Sequence, residues 1–201
     1  KVREKIHLAT LKGKLYVDYD DEKLTAELIF QYGEEKFSPF DSTKRYNGRV
    51  TVRDIEKEYL LLSYVERVPF KYNGKELYLD DLEDIIQFVT EDLPEISQHF
   101  EVYATSMVKS LVYEPVDMPS VRVEANEQLN LLDIQFEFDG ISDDEMSALL
   151  QALLENKKYY RLTSGSFVNL EKEEFQHMKG MIEELDIGKK EIEPKTSVPM
   201  L

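Results

Sequence analysis

The run from Lys157 to Arg161 mixes cations with aromatic rings in an otherwise acidic sequence. Lys157, Lys158 and Arg161 carry the positive charges, and two tyrosines lie between them. Such a mixture can neutralise phosphates and stack on the bases of a single strand. Cations at the end of a helix, followed by tyrosines of the core, would give the same pattern for purely structural reasons. The pattern favours the structural interpretation, and the alternative hypothesis is that these three cations contact DNA or a partner protein.

Motifs of catalytic and metal-binding sites are missing from the sequence. A Walker A loop needs a glycine five residues before its Gly-Lys pair; Leu8, Pro69 and Glu183 stand at those positions. There is no cysteine, and the three histidines fall on three different predicted elements, which does not favour a metal site. We therefore expect no catalytic residue, and neither metal, nucleotide nor other cofactor, in this chain.

Composition indicates an acidic globular protein. Of the 201 residues, 42% are hydrophobic and 11% aromatic, and 41 acidic against 25 basic residues give a formal charge of −16. Such a charge repels the DNA polyanion, so we expect weak or indirect DNA binding. No apolar run approaches the roughly 18 residues of a membrane span, and no signal peptide is visible, so we expect a cytoplasmic protein without membrane contact. Because the chain starts with Lys1 rather than Met, we expect it to be part of a longer protein.

The elements that would position these residues form a recurring order in the first half. Alternating apolar residues on both sides of Asp20-Asp21-Glu22 predict an antiparallel hairpin from Lys14 to Tyr32. A loop over residues 40–48 precedes a helix that we expect to be capped by Thr51 with Asp54, and stapled by Val50 and Ile55. The apolar stripe predicted for this helix comprises Ile55, Tyr59, Leu62 and Val65.

A second hairpin and helix complete this half. The hairpin spans Phe70 to Leu79 and turns at Asn73-Gly74, a pair that favours positive φ. The helix begins after Asp80 or Asp81 as N-cap. Its apolar positions at helical spacing are Leu82, Ile85, Ile86, Val89 and Leu93.

The second half repeats the order. A hairpin ends at Gly140, and Ser142 with Glu145 predicts a capping box for a helix with an apolar stripe at Met146, Leu149, Leu150 and Leu153. A hairpin turning at Ser164-Gly165 and a final helix follow; the final helix has apolar positions at Phe175, Met178, Ile182 and Leu185 and a stop at Gly188.

Spacing between the halves suggests a duplication. Corresponding markers lie 91 residues apart in three cases: Thr51 and Ser142, Gly74 and Gly165, Leu79 and Leu170. Chance agreement between two unrelated halves is the alternative. The prediction is an α+β fold of mostly antiparallel strands in two pseudo-repeated hairpin-helix-hairpin-helix halves. Residues 1–93 and 120–188 would form the halves, 94–119 a connector and 189–201 a linker tail.

The order of several short motifs resembles the helicase-associated domain of bacterial SWI/SNF-type helicases. The strongest part is the stretch from Leu131 to Leu170, and weaker blocks precede it. The motifs are Gly140-Ile141-Ser142, Lys157-Lys158-Tyr159-Tyr160-Arg161-Leu162 and Gly165-Ser166-Phe167-Val168-Asn169-Leu170, with Tyr32-Gly33, Arg53-Asp54, Glu58, Leu93-Pro94 and Glu101-Val102-Tyr103 earlier in the chain.

This resemblance implies an accessory role. It implies a parent protein with a zinc-binding SWIM segment before this region and an ATPase motor after it, the motor using ATP and Mg²⁺. It implies no catalytic residue here, and it makes the motor in cis the expected partner of Lys157, Lys158 and Arg161. The sequence leaves two functions open: docking on the motor to position or restrain it, or recruitment of a partner protein to the helicase.

Overall fold

A computed structural model of the chain describes residues 9–41, 52–114, 119–185, 187 and 192–200. The fold is α+β with mostly antiparallel strands, which confirms the predicted fold class. The chain divides into two compact units, residues 1–112 and 113–201. Each unit has its own sheet and helices.

A six-stranded sheet forms the frame of the first unit. Its strands are β1 (Leu11–Asp20), β2 (Lys23–Tyr32), β3 (Glu35–Phe37), β4 (Lys71–Tyr72), β5 (Leu77–Leu79) and β6 (Glu101–Ala104). The order is β4-β5-β2-β1-β6, and β3 pairs with β2 off that path. Asp21 and Glu22 turn the β1–β2 hairpin with φ values of 48° and 58°, which matches a two-residue hairpin turn.

Alternation along β1 and β2 separates a buried face from an open one. Leu15, Val17, Leu24 and Phe30 are at most 2% exposed. Their neighbours in sequence point to the opposite face, because successive side chains alternate along a strand. This confirms the predicted hairpin.

Helices cover the buried face of this sheet. They are α1 (Ile55–Val65), α2 (Leu82–Gln87), α3 (Leu93–Ile96) and α4 (Ser106–Lys109), and a π-helical turn, Phe88–Asp92, joins α2 to α3. The Asp81 carboxylate accepts hydrogen bonds from the backbone N–H groups of Glu83 and Asp84, which confirms the N-cap. The turn at Gly74 has the predicted positive φ, 92°.

The first helix differs from its prediction in its N-cap residue and in which of its apolar residues are buried. Asp54 is the N-cap and accepts from the Lys57 N–H; Thr51 and Val50 lie outside the described residues. The predicted stripe is wrong at Ile55 and Tyr59, which are 47% and 69% exposed. The helix instead buries the face that carries Leu61 and Val65. Apolar residues occupy both faces, so periodicity alone selects the wrong one.

A glycine permits close packing beside β6. The Cβ that any other residue would add at Gly13 falls 2.6 Å from a ring carbon of Phe100, which is too close for two atoms not bonded to each other. The ring therefore lies directly against the backbone of β1, and β6 follows it, parallel to β1. Residues 101–104, which lie within the predicted connector, thus form a strand that extends the first sheet.

The second unit has a three-stranded sheet, a separate two-stranded sheet and two helices among its described residues. The elements are β7 (Ser120–Asn126), β8 (Leu131–Glu137), α5 (Asp143–Leu154), β9 (Tyr159–Arg161), β10 (Phe167–Asn169), α6 (Glu173–Glu184) and β11 (Lys195–Pro199). The predicted stripe of α5 is confirmed. Its four residues are at most 2% exposed and pack with Phe175, Met178 and Ile182 of α6.

Capping of α5 follows the prediction in part. Ser142 accepts from the backbone N–H of Glu145, as expected. The Glu145 carboxylate accepts hydrogen bonds from the backbone N–H and the hydroxyl of Thr163, so it ties α5 to the β9–β10 turn. The predicted stop at Gly188 lies outside the described residues.

Residues 195–199 of the predicted linker tail have regular structure. They form β11, which pairs antiparallel with β8. Pro194 contributes its carbonyl, which accepts from the Phe136 N–H at 2.8 Å. Thr196 and Val198 alternate with more exposed neighbours, but a strand of five residues that ends on Pro199 is too short to show a period in the sequence.

The predicted duplication is not confirmed. The element order of the two halves does recur. Strand pairing differs, because β5 joins β2 in the first unit whereas β9 and β10 form a sheet of their own in the second. The predicted domain boundaries stay a prediction.

Candidate interaction surfaces

The three predicted contact cations lie at the junction between α5 and β9. Lys157 follows Asn156, whose positive φ of 60° takes the chain out of the helix. The Lys157 N–H donates to the Ala152 carbonyl. The Lys157 Nζ lies 3.2 Å from the Glu155 carboxylate. The Lys158 Nζ lies 3.6 Å from that of Glu171.

One tyrosine anchors this strip in the core. Tyr160 packs against the hydrophobic cluster of the second unit, and its burial raises the pKa of the phenol. Tyr159 and Arg161 project from the other face of β9. The Arg161 guanidinium lies 5.3 Å from the centre of the Phe167 ring. Both lysines lie beside carboxylates that offset their charge, and Arg161 projects from the face of β9 opposite Tyr160.

A different surface includes two residues, Ile55 and Tyr59, that were predicted to be core. Ile55, Tyr59 and Leu60 form what we call the α1 outer face; they are 47%, 69% and 57% exposed. Ile55 and Tyr59 are one turn apart and are neighbours on one face of the helix. Leu60 is exposed about 100° further around the helix axis. Contiguous exposed apolar side chains rimmed by polar ones are typical of sites that contact another protein.

A buried ionic cluster fixes the start of this helix. Glu58 is 5% exposed, and its carboxylate accepts from the Tyr32 hydroxyl at 2.8 Å and from the Arg53 Nε at 2.8 Å. A second guanidinium nitrogen of Arg53 bonds the other carboxylate oxygen. The Asp54 N–H donates to the Tyr32 hydroxyl at 2.8 Å. We call Tyr32, Arg53 and Glu58 the helix latch, because they join β2 to α1.

The latch changes the acidity of its phenol. Burial of the hydroxyl is the main cause that raises the pKa of Tyr32 to about 12, and its hydrogen bond to Glu58 is the second. The hydroxyl therefore stays protonated and available as a donor at neutral pH. Phe37 of β3 completes the arrangement, since the Arg53 guanidinium lies 4.8 Å from the centre of its ring. This packing holds α1 in one orientation and leaves its outer face exposed.

Sequence reasoning missed two further exposed aromatics. Tyr16 of β1 and Tyr103 of β6 stack on the open face of the first sheet, with ring centroids 4.9 Å apart. The sequence could have indicated that Tyr16 is exposed, because Tyr16 stands at a position of the alternating strand that faces away from the core. Nothing local predicts its pairing with Tyr103.

The described residues offer no cluster of three or more His, Asp or Glu side chains that could hold a metal ion. His99 stacks on Tyr64, with ring centroids 4.1 Å apart. None of the helices within the described ranges combines the length and the apolar character that crossing a bilayer requires.

Comparison with known proteins gives one match. The family described as bacterial SNF2 helicase associated matches residues 1–201, the whole chain. Neither a curated protein nor a solved structure matches.

Proposed function

The chain belongs to the bacterial SNF2 helicase-associated family, and from this we propose that it is a non-catalytic accessory module that docks in cis on the motor of an SNF2-type DNA-dependent ATPase. The motor would bind ATP and Mg²⁺, and this chain would bind no cofactor. DNA contacts of the module itself would be weak or indirect, since its formal charge is −16.

The α1 outer face is the observation that supports docking. Burying one large apolar side chain contributes about 1.5–3 kcal/mol, so three exposed apolar residues on one helix can supply a substantial part of an interface. The helix latch also holds the face in place before binding, which lowers the entropic cost of association. An exposed face on a well-anchored helix suits a contact that must persist while the motor works.

A variant of the face tests the proposal in the full-length protein. Tyr59→Glu with Leu60→Glu places charges in the proposed contact, and we expect DNA-stimulated ATPase activity to fall about fivefold or more, corresponding to about 1 kcal/mol or more. Leu129→Glu is the matched control, because Leu129 is 66% exposed on the second unit. Equal ATPase rates for the double variant and the control would contradict the proposal.

Recruitment of a separate partner protein is the second candidate, and the same exposed face favours it. The purified full-length protein separates the two candidates. A recruitment surface leaves the ATPase rate of the purified protein unchanged in the Tyr59→Glu, Leu60→Glu variant, whereas a cis contact does not.

The cationic strip gives a separate prediction. Changing Lys157, Lys158 and Arg161 together to Glu is expected to lower DNA-stimulated ATPase activity and its salt dependence in the full-length protein, by about 1 kcal/mol or less for each exposed contact. Thermal unfolding of the module should change little. A charge-reversed helicase that retains its rate and its salt dependence would make the strip purely structural.

A further inference from the structure

The open face of the first sheet presents two tyrosines side by side. Tyr16 and Tyr103 are direct partners in the parallel β1–β6 ladder. Their rings are nearly parallel, at 12°, and remain 39% and 47% exposed. The Tyr103 hydroxyl donates to Glu101 at 3.1 Å, which fixes one ring of the pair. Water therefore reaches a preformed aromatic platform.

A hollow of about 360 Å³ lies beside this platform. Its polar lining is acidic: Asp18, Glu27 and Glu76 contribute carboxylates, and no lysine or arginine is among the described residues that line it. Thr105 donates to Asp18 at 2.8 Å, so β1 and the residue after β6 are tied together at the rim. Glu27 stands opposite Tyr16 in the β1–β2 register.

Two neighbouring cations lie at one end of the tyrosine pair, and the Lys14 ammonium is also 5.9 Å from the centre of the Tyr103 ring. The Lys12 and Lys14 ammonium groups lie 3.3 Å and 3.5 Å from the Glu101 carboxylate. Both precede Tyr16 along β1, whereas Asp18 follows it, so these lysines lie toward the other end of the tyrosine pair. The hollow keeps its negative character.

We propose that this acidic tyrosine hollow binds a basic segment of a partner protein, with an arginine or lysine side chain against an outer face of the stacked tyrosine pair and its charge facing Asp18, Glu27 and Glu76. Aromatic faces attract cations, arginine most often, and the carboxylates add charge complementarity. Two exposed rings could also stack on nucleic-acid bases. The carboxylates decide against that ligand, because they would repel its phosphates.

This surface goes beyond the proposed docking on the motor. Leu61 of α1 packs next to Gly13 on the buried face of the sheet, whereas the hollow opens on the other face. The α1 outer face and the hollow therefore do not overlap, and both contacts can form at once. Loss of one leaves the other measurable.

Fluorescence anisotropy with a labelled peptide of alternating glycine and arginine tests the proposal. We expect the chain to bind this peptide and to ignore one in which glutamate replaces arginine. Tyr103→Ala and, separately, Glu27→Gln should each weaken binding about fivefold or more. Glu124→Gln, an exposed acid on β7, removes the same charge elsewhere and should leave binding unchanged.

The Glu27→Gln variant keeps the test decisive if Tyr103→Ala impairs folding, because Glu27 is exposed and its replacement has nearly the same shape. The proposal is overturned if the arginine peptide does not bind, or if it binds equally to Glu27→Gln and Glu124→Gln. Tighter binding of oligothymidylate than of the arginine peptide would also overturn it and identify the platform as a nucleic-acid site.

Discussion

Replacing Arg53 by alanine is expected to cost about 3–5 kcal/mol of the unfolding free energy, because it leaves the Glu58 carboxylate buried without its cation. Tyr32 would remain as a donor, but a neutral hydrogen bond does not replace a bidentate ion pair. Denaturant unfolding of the 201-residue chain measures the loss. The α1 helix should also lose its fixed start, since Arg53 immediately precedes its N-cap.

Two controls make this prediction specific. Arg67→Ala removes an ion pair with Glu95 whose side chains are 60% and 53% exposed, and should cost about 1 kcal/mol or less. Arg53→Met combined with Glu58→Leu removes both charges of the pair, and should recover most of the stability lost in Arg53→Ala. If Arg53→Ala costs no more than Arg67→Ala, the helix latch contributes little to folding.

Leu150→Ala in α5 is expected to cost about 2–5 kcal/mol, because Leu150 is fully buried and its truncation leaves a cavity. Tyr59→Ala, which removes a larger side chain from α1, should change the unfolding free energy by about 0.5 kcal/mol or less, since Tyr59 is 69% exposed. Chemical denaturation of the two variants under the same conditions gives the comparison.

A large loss of stability in Tyr59→Ala would mean that the α1 outer face is packed within this chain. That result would remove the main support for docking through this face. The converse pattern, a small effect for Leu150→Ala, would question the core of the second unit. The pair thus tests the fold and the interaction surface together.

These two helices show how far local patterns predict the core. The stripe of α5 is buried as predicted because polar residues occupy its opposite face. In α1 the sequence offers apolar residues on both faces, and the structure buries the one that contains a glutamate. Burying Glu58 is tolerable only because Arg53 and Tyr32 satisfy its oxygens. Tyr32 lies in β2 and Arg53 lies before the helix, so the apolar period of the helix sequence does not reveal either partner.

The hairpins were predictable for a different reason. Alternation over ten residues in β1 and β2, and glycines at the turns, follow from steric rules that act within a few residues. Strands β6 and β11 are short and owe their place to partners far along the chain. The cationic strip is a run of adjacent residues and was visible in the sequence. The tyrosine hollow forms only when three strands come together, so the sequence did not show it. Local chemistry therefore predicted one candidate surface, and long-range pairing created the other.

The parallel pairing of β6 with β1 has a consequence for biosynthesis. Asp18 and Thr105, which bond at this junction, are 87 positions apart. At a synthesis rate of about 5–20 residues per second, roughly 4–17 s pass between the two on the ribosome. During that time the β1 edge that later receives β6 has its backbone hydrogen-bonding groups unpaired, the condition under which nascent chains associate wrongly. Slow-translated stretches before residue 101 would lengthen this interval and lower the yield of correctly folded protein.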